Sequence, residues 1–293
     1  MALNLKNLST RSLSAAVFVV ILLGSILWNV YSFTFLFFVI SIWGLLEFYR
    51  LIEKNNVQPH KLLGTLAGII IYCWDMICFN DDEINSTINL KILSFLIPII
   101  FSVFILELYR KSTTPFLNIG ATCLGILYTV LPLKLFSSLP VNHEAIIYFN
   151  NQVHSQVHYS WQIPFGIILL IWSNDTLAYL VGSMFGKHKL LERISPGKTW
   201  EGSIGGGILT IYLSLFLAKC LNISPINTID WLIIACIITI IGTLGDLIES
   251  MLKRSTGVKD SGSIMPGHGG ILDRFDSLIL ASPFIFFYLF LTQ

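Results

Sequence analysis

Charge is what this chain has least of. Only 12% of its 293 residues are Asp, Glu, Lys or Arg, against 54% hydrophobic. Soluble domains average about a quarter charged residues. So little polar surface cannot cover a water-facing domain of this size, and lipid is the expected solvent. The 18 Lys and Arg and 17 Asp and Glu leave a formal net charge of +1. Bulk electrostatics therefore gives no argument for nucleic acid, and no such partner is expected. Cysteine is scarce as well. Cys73, Cys78, Cys123, Cys220 and Cys236 all fall in apolar runs. The close pair Cys73 and Cys78 has no His or third Cys beside it, so neither a disulfide framework nor a zinc site is supported, and all five are expected to be small buried hydrophobes. Internal repeats, low-complexity tracts and domain linkers are lacking too. No small-residue cleavage site follows a short hydrophobic core near the start, so the run after Lys6 and Arg11 is read as retained transmembrane helix.

What is present is one apolar run after another. A spanning helix needs about 20 mostly apolar residues. Nine stretches meet that pattern, near residues 13–30, 33–49, 62–79, 92–109, 117–137, 163–184, 203–221, 231–249 and 278–292. Placing the N-terminus in the cytoplasm puts all but Lys91, Lys134 and Lys219 of the 18 Lys and Arg on the cytoplasmic side, as the positive-inside rule requires. The expectation is an all-α integral membrane protein with about nine transmembrane helices, N-terminus cytoplasmic and C-terminus outside. Two unusual loops, 185–202 and 250–277, then emerge on the same cytoplasmic face.

Those loops carry the chemistry. From Ser250 to Asp276 the chain collects three Asp, four Lys or Arg, one His and five Gly. Asp246 and Glu249 lie three apart, on one face of a helix end, and Asp273 and Asp276 repeat that spacing at the start of the last helix. Hard cations such as Mg²⁺ take carboxylate oxygens, completed by water and substrate phosphate. Between the two acidic pairs lie Lys253, Arg254 and Lys259, which suit phosphate oxygens, and His268-Gly269-Gly270, whose glycines let backbone approach a ligand closely. A solvated loop would be charged, but it has no need of glycines around a His or of four acids at two helix ends. In the earlier loop, Ser195-Pro196-Gly197-Lys198-Thr199 precedes Glu201, a pattern that starts a helix with Ser195 and offers a phosphate site. It is no P-loop, because the glycine-lysine spacing is absent. Gly202, Gly205, Gly206 and Gly207 equally suit tight helix packing. Asp175 lies in the sixth run, roughly 16 Å below its cytoplasmic end at ~1.5 Å per residue; an acid at such depth is a functional candidate. Asp75 and Glu107 also interrupt apolar runs, with less polar company.

The segment Ser250, Lys253, Arg254, Lys259, Asp260, Gly262, Pro266, His268, Gly269, Gly270, Asp273, Arg274 and Asp276 resembles the signature of the phosphatidate cytidylyltransferase (CDP-diacylglycerol synthase) family. Gly245-Asp246, the Ser-Pro-x-Lys-Thr-x-Glu-Gly block at 195–202 and Asp175-Thr-x-Ala-Tyr-x-x-Gly182 are similar to that family as well. The likeness is close over residues 163–277, and the first five runs match only as hydrophobic spans. It implies a division into residues 1–160, about five spans of scaffold, and residues 161–293, the catalytic membrane part with loops 185–202 and 250–277. It implies CTP and phosphatidate as substrates, CDP-diacylglycerol and pyrophosphate as products, and a multi-pass protein among lipids of a bacterial inner membrane with its site facing the cytoplasm. A homodimer stays open. The implied cofactor is Mg²⁺, with room for a second cation. Asp246 and Asp273 become primary metal ligands, and Asp276 and Glu249 the weaker candidates. Lys253, Arg254, Lys259 and Arg274 become phosphate binders, with His268 orienting phosphate or ordering the glycine loop. Ser195, Lys198, Thr199, Gly269 and Gly270 complete the substrate wall, and Asp175 lines its intramembrane part. Two alternatives remain: a CTP-dependent enzyme acting on a prenyl or ether lipid, and an ion-coupled transporter using Asp175, Asp75 and Glu107.

Overall fold

The computed structural model describes residues 5–74, 83–142, 146–149, 152–155, 158–221, 226–262 and 269–292. Its helices follow the apolar runs: α1 (Leu5–Trp28), α2 (Val30–Glu53), α3 (Lys61–Cys73), α4 (Glu83–Tyr109), α5 (Pro115–Ser138), α6 (Gln162–Phe185), α7 (Trp200–Leu221), α8 (Thr228–Ser255) and α9 (Leu272–Thr292). A π turn interrupts α5 at Ile126–Val130 and α8 at Ile238–Gly242. Among the described residues six helices, α2 and α5 to α9, are long and apolar enough to cross a membrane; the apolar parts of α1, α3 and α4 are shorter. The membrane-crossing candidates are all helices, because in hydrocarbon each backbone N–H must find its partner within its own segment.

The chain forms two compact units, Trp28–Tyr159 and a second that joins Met1–Leu27 to Ser160–Gln293. Thus α1 groups with the later helices rather than with the other N-terminal spans. In the unit Trp28–Tyr159, Phe33, Phe37 and Phe136 pack with ring centroids 4.9–5.8 Å apart. Tyr49 Oη donates to the Thr122 carbonyl at 2.8 Å and lies across Gly64, where a Cβ would strike its ring. Glu107 is buried and fully occupied. His60 Nε2 and Asn118 Nδ2 each reach it at 2.6 Å, and Arg110 stands 3.6 Å away. A carboxylate so engaged braces α3, α4 and α5 and does not resemble a free ion relay. Asp75 and Cys78 lie outside the described residues.

Several expectations are corrected here. The connection after α5 adds strands to the helices: β1 (Val141–Asn142) pairs with β4 (His158–Tyr159), and β2 (Ile146–Phe149) with β3 (Gln152–Ser155). Ser195 does not cap a helix. It opens strand β6 (Ser195–Thr199), which pairs antiparallel with β5 (Lys189–Leu191), and α7 begins only at Trp200. The loop 250–277 is shorter than its polarity suggests, because α8 continues to Ser255 and α9 already starts at Leu272. Asp246 consequently sits well inside α8 rather than at its end. Apolar counting stops at the first charged turn, whereas helices continue wherever charges find partners. The cysteines are not uniformly buried either: Cys123 and Cys220 are exposed on helix surfaces. Lipid is as apolar as a protein core, so an apolar run does not reveal which of its residues face inward.

In the second unit, α6 and α7 approach each other through small residues. A Cβ at Gly206 would collide with the backbone of Ala178, one at Gly202 would stand 2.7 Å from the Ala178 carbonyl oxygen, and one at Gly205 would stand 2.7 Å from the Val181 side chain. The Gly202–Gly207 cluster is therefore a packing device. Glu201, in the first turn of α7, accepts from the backbone of Lys187 at 3.1 Å and of His188 at 3.1–3.2 Å, and meets His188 Nδ1 at 2.6 Å. It fastens the end of α6 to the start of α7. We expect Gly206→Ala to lower the thermal stability of the detergent-solubilised protein by about 1–3 kcal/mol, the usual cost of overpacking. Gly120→Ala, whose Cβ would meet nothing within 4 Å, is expected to be neutral or mildly stabilising, as read by a melting curve.

Candidate active site

A cavity of about 740 Å³ opens within the second unit, walled by α1, α6, β6, α7, α8 and α9. Three carboxylates face it from three helices, Asp175 of α6, Asp246 of α8 and Asp276 of α9, together with Lys198 and Arg274. Two local features bring the acids together. Gly245 lets α8 press against α9: a Cβ there would sit 2.6 Å from the Asp276 carbonyl oxygen and 3.0 Å from Leu280. The π turn at Ile238–Gly242 changes the rotation of α8 one turn before Asp246, and such turns recur at functional sites. Lys198, carried in by strand β6, ion-pairs with Asp246 at 2.6 Å. Ser195 and Thr199 line the cavity beside it.

Asp273 also reaches the cavity, but both of its oxygens are engaged. Oδ1 accepts from Lys253 Nζ at 2.6 Å. Oδ2 accepts from the Ser261 backbone and hydroxyl at 2.9 Å each and from the Gly270 backbone at 2.8 Å. Gly269 adopts φ +84°, and a Cβ there would collide with the Asp273 carboxylate. Glycine is required at that position for both reasons. At the other end of the same connection, Gly257 at φ +69° ends α8, with the Val258 N–H returning to the Lys253 carbonyl at 3.0 Å. Behind Asp273, Lys253 also meets the fully buried Glu249 at 2.5 Å. The sequence-selected residues thus divide. Asp175, Asp246, Asp273, Asp276, Ser195, Lys198, Thr199 and Arg274 line the cavity. Glu249, Lys253, Gly269 and Gly270 stand behind it, where together with Asp273 they hold the signature segment in place. Arg254 and Lys259 are exposed away from the cavity wall. His268 lies outside the described residues.

Several further wall residues were not selected as site residues from the sequence, Tyr179 among them although it belongs to the Asp175–Gly182 block. Asn174 is buried beside Asp175, and its Oδ1 has no hydrogen-bond partner among the described residues. Thr243 stands three residues before Asp246, and Trp172 and Tyr179 stand three before and four after Asp175. Helical spacing from the two acids would have found all three.

The donor set fits a hard cation. With Asp273 balanced by Lys253, the other three lining carboxylates facing one lysine and one arginine leave an excess of negative charge, and the orphaned Asn174 oxygen adds a neutral hard donor to the same wall. Among the described residues no three acidic, His or Cys side chains already converge on one point. That suits Mg²⁺, which is usually held by one or two carboxylates and completed by water and substrate phosphate.

Comparison with known proteins gives an independent finding. Residues 9–292 match the sequence model of the cytidylyltransferase family. The chain is 30% identical over 283 residues to the phosphatidate cytidylyltransferase of Bacillus subtilis (strain 168), covering 97% of this chain and 98% of that protein. It is 35% identical over 243 residues to the phosphatidate cytidylyltransferase of Staphylococcus saprophyticus, covering 82% and 85%. Over 119 residues it is 49% identical to the phosphatidate cytidylyltransferase of Staphylococcus aureus (strain COL), covering 40% and 45%.

The two groups of acids should respond differently to substitution. Asp273→Ala leaves Lys253 with Glu249 as its remaining acid and removes four contacts, so a melting curve is expected to show a loss of about 3–5 kcal/mol, typical of a broken buried pair. Asp175→Asn relieves like-charge crowding and should leave the melting temperature unchanged or raised while turnover falls.

Proposed function

The chain belongs to the cytidylyltransferase family, and on that premise we infer that it is a phosphatidate cytidylyltransferase. It transfers the cytidylyl group of CTP to phosphatidate and yields CDP-diacylglycerol and pyrophosphate. The observation that carries this reading is a single cavity with acids and bases on one part of its wall and apolar side chains on another, which suits a water-soluble nucleotide and a lipid phosphate meeting at one depth.

Both substrates are polyanions and repel each other. A phosphate oxygen of phosphatidate attacks the α-phosphorus of CTP. The new P–O bond forms as the bond to the bridging oxygen of the β-phosphate breaks, and pyrophosphate leaves with that electron pair. A phosphomonoester has a second pKa of about 6, so the nucleophile is already ionised at neutral pH and no side chain has to act as its base. Lys198 and Arg274 are assigned to the phosphate oxygens, where a charge-assisted contact is strongest. Ser195 and Thr199 orient them by hydrogen bonding. Asp246 and Asp276 would hold Mg²⁺, with Asp175 and Asn174 beside them; when bound, the ion neutralises charge on the phosphoryl oxygens. Asp273, Lys253 and Glu249 are assigned to holding this arrangement together, and Arg254, Lys259 and His268 to the approach of the nucleotide.

The topology we propose has nine spans, with the N-terminus cytoplasmic, the C-terminus outside and the cavity opening to the cytoplasmic side of a bacterial inner membrane. Its support is the one-sided distribution of Lys and Arg.

Purified protein in detergent, given CTP, phosphatidate and Mg²⁺, is expected to release pyrophosphate and form lipid-linked cytidine. EDTA should stop the reaction, and Lys198→Ala should lower kcat by about 10²- to 10³-fold, as loss of one preorganised electrostatic contact does. Turnover of CTP with a prenyl or ether lipid but not with phosphatidate would overturn the substrate assignment and leave the family intact.

A further inference from the structure

The cavity has one wall that the transfer chemistry does not use. Among its described lining residues, α1 contributes Ala15, Phe18 and Val19 and nothing polar. Their spacing places them on one face of the helix, and that face continues into the buried Leu22 and Ile26. The opposite face is open: Leu13 is 67% and Val20 69% exposed. Helix α1 therefore turns one apolar face to the cavity and the other away from it, and in a bilayer that outer face meets acyl chains. It is attached to the catalytic helices at Phe18, whose ring meets Phe275 of α9 edge to face at 5.8 Å, one residue before the cavity carboxylate Asp276.

CTP can offer such a wall only its cytosine ring, which would engage Phe18 alone; its ribose and triphosphate gain nothing from Ala15 or Val19. A diacyl phosphate gains from the whole wall, because its phosphate must reach Lys198 and Arg274 while its tails are covalently attached and have to lie against something apolar. The remaining wall is dominated by hydroxyl, carboxylate and basic side chains. We propose that α1 is the acyl-chain wall of the lipid subsite, and that Ala15, Phe18 and Val19 set which acyl chains the enzyme accepts. This inference rests on the phosphatidate reading above. It makes the first helix of the chain, which carries no polar signature residue, a specificity element.

The test compares dioctanoyl, dipalmitoyl and dioleoyl phosphatidate as substrates for the full-length protein in detergent, with KM for CTP measured alongside. Ala15→Phe and Val19→Trp narrow the cavity from α1; Val20→Phe adds similar bulk to the outward face. The two inward variants should each lower the long-chain to short-chain ratio of kcat/KM by about tenfold, the scale on which a hydrophobic pocket discriminates, with KM for CTP unchanged. The outward variant should keep the wild-type ratio. An unchanged ratio in both inward variants at normal CTP affinity overturns the proposal, as does an equal shift in Val20→Phe. If one inward variant fails to fold, the other decides. Wild-type protein that turns over CTP with no phosphatidate of any length would instead sink the functional reading, and this inference with it.

Discussion

Three carboxylates in one cavity inside a membrane protein repel one another, and the fold has to overcome that repulsion before anything binds. Here the opposition is mechanical. Helices α8 and α9 approach so closely at Gly245 that no side chain fits between them, which places Asp246 beside Asp276. Helices α6 and α7 do the same at Gly202, Gly205 and Gly206, and bring up the Asp175 wall. In lipid, where the hydrophobic effect does not drive helices together, such close van der Waals contact is the main available force. These glycines therefore serve the electrostatics of the site, although none of the four is assigned a ligand contact in the proposed reaction.

A second consequence is a division of labour among residues that look alike in sequence. Asp273 and Asp276 are three apart on one helix and both reach the cavity, yet of the two it is Asp273 that is tied by Lys253, Ser261 and Gly270. Asp246 and Glu249 divide in the same way, since Glu249 is buried against Lys253. The densest part of the signature thus builds its own support. An unpaired buried charge is costly, so Glu249, Lys253 and Asp273 are interdependent, and their joint role is to fix the segment between α8 and α9.

The cavity joins two kinds of surface. Its polar part comes from α6, β6, α8 and α9, and α1 contributes an apolar face. A nucleotide and a lipid differ in the solvent they leave, and a cavity with both surfaces accommodates each without moving either phosphate far from its own phase. The N-terminal unit has a different character. Its buried acid Glu107 is held by His60, Asn118 and Arg110, so that carboxylate serves as a brace.

Much of this was legible in the chain. The low charge content and the apolar runs fixed an all-helical membrane protein, because lipid admits few other backbones. Spacing within 195–202 and 245–276, with Asp175 in its apolar run, located every charged residue of the cavity wall, because phosphate and cation chemistry needs particular side chains; its neutral polar residues Asn174, Tyr179, Ser183, Ser203 and Thr243 were not selected. Other features depended on distance between segments. That Ser195 starts a strand, that Asp246 lies within a helix, and that Cys123 and Cys220 face outward follow from hydrogen bonds and packing partners far along the chain. Likewise, no periodicity distinguishes a carboxylate with four donors around it from one facing a cavity. Sequence by itself determined which chemistry is present and which solvent surrounds it, since both are properties of residue types. Only the tertiary structure decided which acids are held by several donors and that α1 walls their cavity, since burial and pairing are properties of neighbours.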